Sequence, residues 1–314
     1  MSDQIQTVTG PVPLSELGLT LPHEHLVFGM TGWHLDVVPA PSRAEQLAAC
    51  EQHARAAVRA GVRTMLEMTT PEMGRDIDLM RQVSRRTGLR IACSTGLYAR
   101  RPTAYFLRRS QDEIAELFVH ELTEGIGDTG VRAAVIKCAV EAAELSEHER
   151  TTLAAAAQAS RATGAPVVIH VEPGAALAVA RFLAGAGLAG ARTVIAHVES
   201  TPDPELLDML AGEFGVYLGF DRFGYELTVS NQARVAAVAA LCRRGHASRV
   251  LLSHDFVCVL LGRDAHRWDG MEDRLREWSF AYLPRAGVAA LARAGVSDAD
   301  LHQMTIDNPA ALFA

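Results

Sequence analysis

The sequence predicts an α/β protein built as a (β/α)8, or TIM, barrel with a short N-terminal extension and a long loop after strand 8. Eight short apolar runs alternate with amphipathic stretches over 314 residues, which is the element count of such a barrel. The runs are continuously apolar, as parallel strands covered by helices are. A doubly wound sheet is the alternative, but no GxGxxG follows the first strand and the alternation continues to eight.

The elements follow one another without a linker, repeat or low-complexity tract, so residues 1–314 are expected to form a single domain. The predicted strands cover residues 18–25, 63–69, 90–97, 132–140, 166–172, 192–199, 215–221 and 249–256. Helical segments lie near residues 42–60, 76–87, 111–125, 146–163, 175–186, 204–213 and 231–244, and glycines close several of them. Residues 5–17 form the N-terminal extension, a candidate hairpin, and residues 257–279 form the long loop.

Composition and charge exclude several classes of partner. The net charge is −7, which argues against nucleic acid and anionic membranes because both select basic surfaces. No apolar run reaches 18 residues, and the polar start MSDQIQTVTG does not resemble a signal peptide. The five cysteines are scattered and form no CxxC, which is typical of reduced thiols. We therefore expect a cytoplasmic protein that binds neither nucleic acid nor membrane.

Polar residues inside the apolar runs are the strongest functional signal. They lie at or near the carboxyl ends of the predicted strands, where barrel enzymes place their active sites: His23 and His25 in TLPHEHLVF, Lys137 in AVIKCAV, His170 in PVVIHVEP, His197 in TVIAHVES and Asp255 in VLLSHDF. A single strand histidine is often a satisfied core residue. Six such groups at equivalent positions indicate a site, and four imidazoles with a carboxylate suit a transition metal.

These motifs, in this order and spacing, resemble the phosphotriesterase family of the amidohydrolase superfamily, and most of all its phosphotriesterase-like lactonases. The matching segments are LTLPHEH, IKCA, VVIHVE, IAHVES and SHDF, with STGLY, GRDIDLM and DNPAALF as further similarities. The resemblance covers nearly the whole chain. It implies one metal-dependent hydrolase domain over residues 1–314, of the amidohydrolase barrel type, and a homodimer.

The resemblance also implies a binuclear metal centre. His23, His25 and Asp255 would hold the more buried ion, and His170 and His197 the more exposed one. Lys137, N6-carboxylated by CO2, would bridge the two ions together with the attacking hydroxide. Zinc is the first choice of metal, and the ligand types also suit Co, Fe or Mn. Asp255 is in addition the candidate to take the proton of the hydroxide and to deliver it to the leaving group.

Two residues bear on the small-molecule substrate. Tyr98 follows the third strand in STGLY, where similar lactonases have tyrosine and dedicated phosphotriesterases have tryptophan. Arg222 stands in GFDRFG, where lactonases have a similar DR pair and phosphotriesterases have histidine after the aspartate. Tyr98 could instead be a loop aromatic that caps the barrel, and Arg222 could pair with Asp221 or another acid.

Four other candidates come from the residues themselves. Glu172 and Glu199 each lie two positions after a predicted ligand histidine, so on a continuing strand they would face inward near the mouth, beside the substrate. Glu172 departs from the lactonase pattern, and a rim carboxylate paired with a loop cation is its alternative. In the loop 257–279, Cys258 and Trp268 could wall a channel for an acyl chain, cover the barrel mouth or meet a second subunit.

The predicted function is a lactonase that opens γ- or δ-lactones, including acyl-homoserine lactones, with weak phosphotriesterase activity. The alternative is a hydrolase of an amide, a carboxylic ester or a sugar lactone on the same metal centre. Glu172 and the unusual sequence of the loop 257–279, which would cover the site as a lid, motivate it. Glu24, between the first two histidines, is expected to point out of the barrel and to be structural.

Overall fold

The computed structural model describes residues 3–98, 103–201 and 203–314, and its centre is the predicted (β/α)8 barrel. The chain begins with an antiparallel hairpin, β1 (Gln4–Thr7) and β2 (Gly10–Pro13). The barrel strands are β3 (Thr20–Gly29), β4 (Thr64–Glu67), β5 (Arg90–Leu97), β6 (Val135–Val140), β7 (Val167–Val171), β8 (Thr193–Ala196), β9 (Tyr217–Phe220), β10 (Val250–Leu252) and β11 (Val257–Leu261). They are parallel and follow the order β10-β9-β8-β7-β6-β5-β4-β3-β11.

Helices cover the outside of this sheet. The first seven alternate with the strands: α1 (Arg43–Arg59), α2 (Ile77–Thr87), α3 (Gln111–Thr123), α4 (Glu147–Thr163), α5 (Ala176–Gly185), α6 (Pro204–Asp208) and α7 (Asn231–Arg243). Short helices follow the last strand: α8 (Glu272–Leu275), α9 (Val288–Arg293), α10 (Asp298–His302) and α11 (Asn308–Ala311). No helix formed by the described residues has the length and apolarity that crossing a membrane requires.

The last strand of the barrel is broken into two pieces. β10 pairs with β9, and β11 pairs with β3, so the two pieces together close the barrel. The prediction that residues 257–261 belong to a loop is therefore wrong. The segment VCVLL is apolar and continues the strand direction after the break. The long connection begins only at residue 262.

Local sequence signals explain where several helices begin. Ser42, Ser110 and Ser146 each form a capping box with a glutamate three residues later, at the start of α1, α3 and α4. Gly164 ends α4 in the left-handed conformation (φ +79°), which a side chain would disfavour. These helix starts agree with the predicted segments to within about one residue.

Two apolar clusters form the core. The larger one lies between the sheet and the helices and includes Ile91, Ile169 and Ile195. The smaller one includes Val135 and Val168, the strand neighbours two positions before Lys137 and His170. Because side chains alternate along a strand, Lys137 and His170 share the face of this smaller cluster. Residues of the N-terminal hairpin region and the C-terminus, Ile5, Leu17 and Leu312, pack into it.

Candidate metal centre

The six polar side chains predicted at strand ends meet at one place. They come from β3 (His23 and His25), β6 (Lys137), β7 (His170), the residue after β8 (His197) and the break between β10 and β11 (Asp255). Lys137 Nζ lies 2.8 Å from His23 Nε2, and His170 Nδ1 lies 2.8 Å from His197 Nε2. Asp255 Oδ1 lies 3.2 Å from His25 Nε2 and 3.5 Å from His23 Nε2.

The chemistry of these donors fits a metal site. Ligand atoms of His23, His197 and Asp255 lie within 4.8 Å of one another. Burial, helped by the charge of Arg222, lowers the pKa of His197 to about 4, and burial also lowers the pKa of His23 and His170. The imidazoles are therefore neutral near pH 7, which is the form that donates a lone pair to a metal.

Asp221, at the end of β9, orients two of the histidines. Its Oδ2 accepts a hydrogen bond from His23 Nδ1 (2.7 Å), and its Oδ1 accepts one from His197 Nδ1 (2.6 Å) and one from the His197 backbone N–H (3.0 Å). Burial alone would raise the pKa of Asp221, but the two imidazoles outweigh burial and hold it well below its usual range. With both Nδ1 atoms protonated, the Nε2 lone pairs face the other ligands.

From sequence, Asp221 is predicted only as a possible partner for Arg222, and its contacts with the two histidines are missed. The available signal was an acid at the end of an apolar strand in GFDRFG. Sequence alone does not show which imidazoles that acid reaches, because the pairing depends on the closed barrel.

His25 has its own supporting chain. Thr69 Oγ1 lies 2.8 Å from His25 Nδ1 and donates a hydrogen bond to Glu67 Oε1 at 2.7 Å. Glu67 is fully buried and also accepts from the Leu26 backbone N–H at 3.0 Å. Since the threonine hydroxyl donates to the carboxylate, it accepts from Nδ1–H of His25 and leaves Nε2 free for a metal.

Lys137 is enclosed on β6. Burial lowers the pKa of its amine from 10.5 to about 8, although the carboxylates of Asp255 and Asp221 oppose this shift. Gly96, on β5, adopts φ +128°, and a Cβ there would collide with the Lys137 carbonyl oxygen. The glycine in STGLY therefore allows β5 to approach the strand that carries Lys137.

Two of the candidate ligands have unusual backbones. His197 has φ +61° and Asp255 has φ +51°, and they are the only non-glycine residues with positive φ in the described part of the chain. Such conformations are uncommon without glycine and concentrate at functional sites. The turn at His197 ends β8 at Ala196, and the turn at Asp255 lies in the break between β10 and β11. The two turns direct these side chains into the site.

The backbone at His197 also changes the position of Glu199. The predicted strand 192–199 ends at Ala196, and Glu199 lies in a short 3₁₀ helix, Val198–Ser200. Its side chain is buried and pairs with Arg234 (Oε1 to Nε 3.2 Å), and burial together with the charge of Asp221 raises its pKa to about 7. The inference that Glu199 faces the substrate at the mouth is therefore wrong, because it assumed a continuing strand.

A cavity of about 230 Å³ opens above the six residues. Its lining includes five of them, namely His23, His25, Lys137, His170 and Asp255. Apolar and aromatic residues form much of the remaining wall: Phe28, Met30, Tyr98, Tyr225, Val257, Leu260, Trp268 and Trp278. Glu172, Arg222, Thr228 and Arg267 add polar groups. An apolar pocket with few polar groups above a reactive centre is typical of a small-molecule site.

Tyr98 and Arg222, the two residues that the sequence connects with the substrate, line this cavity. The Tyr98 ring lies 5.3 Å from the His170 ring, measured between centroids, and its backbone N–H donates to the Glu72 carboxylate. Arg222 Nε donates to Asp255 Oδ2 at 3.2 Å. Of the alternatives left open for Arg222, the structure contains the ion pair with an acid, and that acid is Asp255.

Glu172 contacts a candidate ligand. Its Oε1 lies 3.4 Å from His170 Nε2, and its side chain is 34% exposed and lines the cavity. His170 thus presents Nδ1 to the centre and Nε2 to Glu172. Glu172 is in a position both to orient His170 and to meet a bound molecule.

The two candidates after β10 have different environments. Trp268 lines the cavity, packs edge-on against Trp278 with centroids 4.8 Å apart, and has no hydrogen-bond partner for its buried Nε1 among the described residues. Cys258 is not among the described residues that line the cavity. It lies on β11 beside Cys50 of α1, and this contact and burial raise its pKa well above the ordinary value. The structure therefore contradicts a substrate contact for Cys258, because the strand direction turns its side chain toward the helix.

A closed barrel whose strand ends bring neutral histidines, a lysine and an aspartate together below a cavity is a metal-dependent hydrolase architecture. Comparison with known proteins makes this class specific. The model of the phosphotriesterase family matches residues 3–313, and the chain belongs to this family. The resemblance predicted from the sequence motifs is confirmed, and the protein is a hydrolase that acts on ester bonds.

Similar proteins cover almost the whole chain. A phosphotriesterase homology protein of Mycobacterium tuberculosis is 33% identical, over 99% of this chain and 97% of its own. An N-acetyltaurine hydrolase of Tetraodon nigroviridis is 27% identical, over 98% and 97%. Two solved structures from Deinococcus radiodurans, an organophosphorus hydrolase and a mutant PTE-like lactonase, give TM-scores of 0.92 and 0.93. They are 35% and 34% identical, and the matches span 99% of this chain and 97% and 100% of theirs.

Proposed function

We propose that this protein is a binuclear-metal lactonase that opens γ- or δ-lactones, with weak phosphotriesterase activity as a side reaction. The observation that carries the proposal is the cavity above the candidate ligands, with Tyr98 against His170 and Arg222 against Asp255. Both residues match the lactonase pattern at positions where dedicated phosphotriesterases differ. The similarity to a solved PTE-like lactonase supports the same assignment.

The residues assigned to the metals follow the resemblance to the family, and the donors that meet here suit such a centre. His23, His25 and Asp255 would hold one ion, His170 and His197 would hold the other, and a carboxylated Lys137 would serve as a ligand for both. Zinc is the proposed metal, with Co, Fe or Mn as substitutes. When bound, the two ions supply Lewis acidity that activates a water molecule and polarises the ester carbonyl.

The protein's own groups bind the substrate and move the proton. Asp255 Oδ1 faces the histidines, which leaves Oδ2, beside Arg222 Nε, to accept a proton from the attacking water and to return it to the leaving alkoxide. The Arg222 guanidinium favours the ionised form of that carboxylate between turnovers. The aromatic wall around Trp268 and Trp278 excludes water and packs against the tail of the substrate.

The first test is proton release by the purified protein, reconstituted with zinc or cobalt in bicarbonate. The panel contains γ- and δ-lactones with tails of several lengths, one phosphotriester and one N-acyl amino acid. We expect the lactones to turn over fastest and the phosphotriester far more slowly. The D255N variant, which lacks the proposed proton acceptor, is the matched control. Absence of lactone turnover in a protein that holds two metals would overturn the lactone assignment.

A second candidate is an amidase, or a hydrolase of a carboxylic ester or sugar lactone, on the same centre. Glu172 favours it, since a carboxylate at the cavity would bind an amine or hydroxyl group of a substrate. The similarity to an N-acetyltaurine hydrolase also favours it. Turnover of the N-acyl amino acid without turnover of any lactone selects this function.

The proposal also includes the setting in which the enzyme works. We propose a cytoplasmic homodimer that binds a small-molecule substrate and neither nucleic acid nor membrane. The net charge of −7 supports the last two statements. Light scattering after size-exclusion chromatography tests the dimer, and a mass near 34 kDa, that of one 33.8 kDa chain, would contradict it.

A further inference from the structure

Glu24, between the first two histidines, collects the hydrogen bonds of the break in the last strand. Its side chain is completely buried. Oε1 accepts from Ser253 Oγ (2.8 Å), from the His254 backbone N–H (3.0 Å) and from His254 Nδ1 (2.6 Å). Oε2 accepts from the Phe256 backbone N–H at 2.9 Å. All four donors belong to the three residues that flank Asp255.

The break needs these acceptors. Between β10 and β11 the ladder is interrupted, and buried backbone N–H groups without acceptors destabilise a fold. The N–H of Asp255 itself donates to the His23 carbonyl oxygen at 3.1 Å. The N–H groups on either side of it, from His254 and Phe256, have Glu24 as their acceptor. The Glu24 carboxylate therefore supports the backbone on both sides of Asp255, whose φ is +51°.

We propose that Glu24 is the positioning residue for Asp255: it holds the left-handed backbone that directs this carboxylate into the metal centre. Glu24 itself points away from the ligands, as expected, and is not among the described residues that line the cavity. Glu24 affects the reaction only by fixing the position of Asp255. The inference rests on the metal centre and not on the identity of the lactone.

Through His254, the same carboxylate also supports the cavity wall. His254, which donates Nδ1–H to Glu24, accepts a hydrogen bond at Nε2 from the Leu283 backbone N–H (3.0 Å). Its carbonyl oxygen accepts one from Trp278 Nε1 at 2.7 Å. Trp278 lines the cavity and packs against Trp268. Glu24 therefore fixes a ligand of the centre and, through His254, an aromatic wall of the substrate site.

A carboxylate is the side chain that this arrangement requires. Both oxygens of Glu24 act only as acceptors. Oε1 accepts from three donors, and Oε2 accepts from one. A glutamine has nearly the same shape but replaces one oxygen by an NH2 group. In either orientation of the amide, its NH2 group would face at least one backbone N–H of the break. Two donors would then face each other without an acceptor. The substitution E24Q therefore changes the hydrogen bonding around Asp255 with little change in volume.

A residue that served folding alone would give a different result. Its loss would lower stability without distinguishing the two ion sites. If Glu24 acts through Asp255, E24Q weakens the ion held with His23 and His25 and leaves the ion held by His170 and His197 nearly unchanged. The matched control is E121Q, which also removes a buried carboxylate, here paired with Arg75 at 2.6 Å, outside the described cavity lining.

The experiment measures metal binding without any substrate. Zinc stoichiometry is measured by mass spectrometry, the dissociation constants by competition with a chelator, and the ligand geometry by the visible spectrum of the cobalt-loaded protein. For E24Q we expect one dissociation constant to rise roughly 10- to 100-fold, the range found for residues that orient metal ligands, and the cobalt spectrum to change. E121Q is expected to keep both constants and the spectrum.

Further variants keep the test decisive. In the double variant E24Q/D255N, the loss of affinity is expected to equal that of D255N alone, because Glu24 acts through that ligand. If E24Q does not fold, E24D keeps the charge but shortens the side chain, and it is expected to weaken the same ion several-fold. Two ions bound with wild-type affinity and an unchanged cobalt spectrum, in folded E24Q or in folded E24D, would overturn the proposal.

Discussion

Substituting Asp221 by asparagine tests how the centre is oriented. Asp221 is the sole acceptor given to the Nδ1–H of both His23 and His197 in the described structure. An amide in its place has one oxygen and one NH2 group. Oδ1 accepts two hydrogen bonds from His197, and Oδ2 accepts one from His23. Because more donors point at Oδ1, the amide oxygen is expected to stay at the Oδ1 position. The NH2 then faces Nδ1 of His23.

This orientation predicts which ion is lost. To accept from the NH2, His23 must move its proton from Nδ1 to Nε2, and the lone pair that faces Lys137 and Asp255 disappears. Loss of such an orienting contact weakens metal binding roughly 10- to 100-fold, or about 1.4 to 2.7 kcal/mol. D221N is therefore expected to weaken the ion held by His23 and His25, and D221A to weaken both ions.

Chelator competition on the zinc-loaded protein measures both dissociation constants. D208N is the control, because Asp208 is an exposed partner of Arg244 and takes no part in the site. Equal weakening of both ions in D221N would contradict the proposed amide orientation. Wild-type affinity for both ions in D221N and D221A would refute the role of Asp221 altogether.

The remaining predictions concern single contacts. K137A is expected to lose metal and nearly all activity, with partial rescue by short carboxylic acids; full activity would refute a bridging lysine. T69V removes the acceptor for His25 Nδ1, and chelator competition should show roughly tenfold weaker binding of one ion. Chelation should lower Tm in calorimetry, because a ligand that binds only the folded state stabilises it; an unchanged Tm would contradict metal binding at a folded site. C258S is expected to keep the wild-type KM, whereas W268A should raise KM for the best substrate; the reverse order would contradict the cavity lining.

The barrel and the convergence of the polar strand ends could be predicted because each depends on local patterns. An apolar run gives a strand, and a histidine or lysine inside it is conspicuous. In a parallel barrel, all such positions reach the same end, so convergence follows from the count of strands. That is why His23, Lys137 and His170 could be assigned to one site before their distances were known.

The errors arise where the backbone leaves the regular strand. A one-residue irregularity reverses which side chains face inward. The left-handed turn at His197 removes Glu199 from the mouth, and the break around Asp255 separates two strand pieces where one was predicted. Cys258 faces α1 for the same reason. Neither turn has a glycine to signal it, so the sequence carries no simple indication of either.

The partners of the ligands were also not predictable. Asp221, just after β9, reaches His23 of β3 past the intervening β10/β11 strand, and Glu24 reaches Ser253 across the closure. These contacts depend on which strands become neighbours at the closing step. Local periodicity carries no information about them.

The broken last strand has a consequence for the order in which the protein folds and its metal centre forms. Glu24 and Ser253 are separated by 229 positions, and their contact joins the first barrel strand to the last. Closing so long a loop is slow compared with forming neighbouring βα units, which pair locally along the chain. During synthesis, most of the chain has left the ribosome before Asp255 emerges. An ion held by Asp255 would therefore acquire its full set of ligands only when the ring is complete, and its uptake would report the final step of folding.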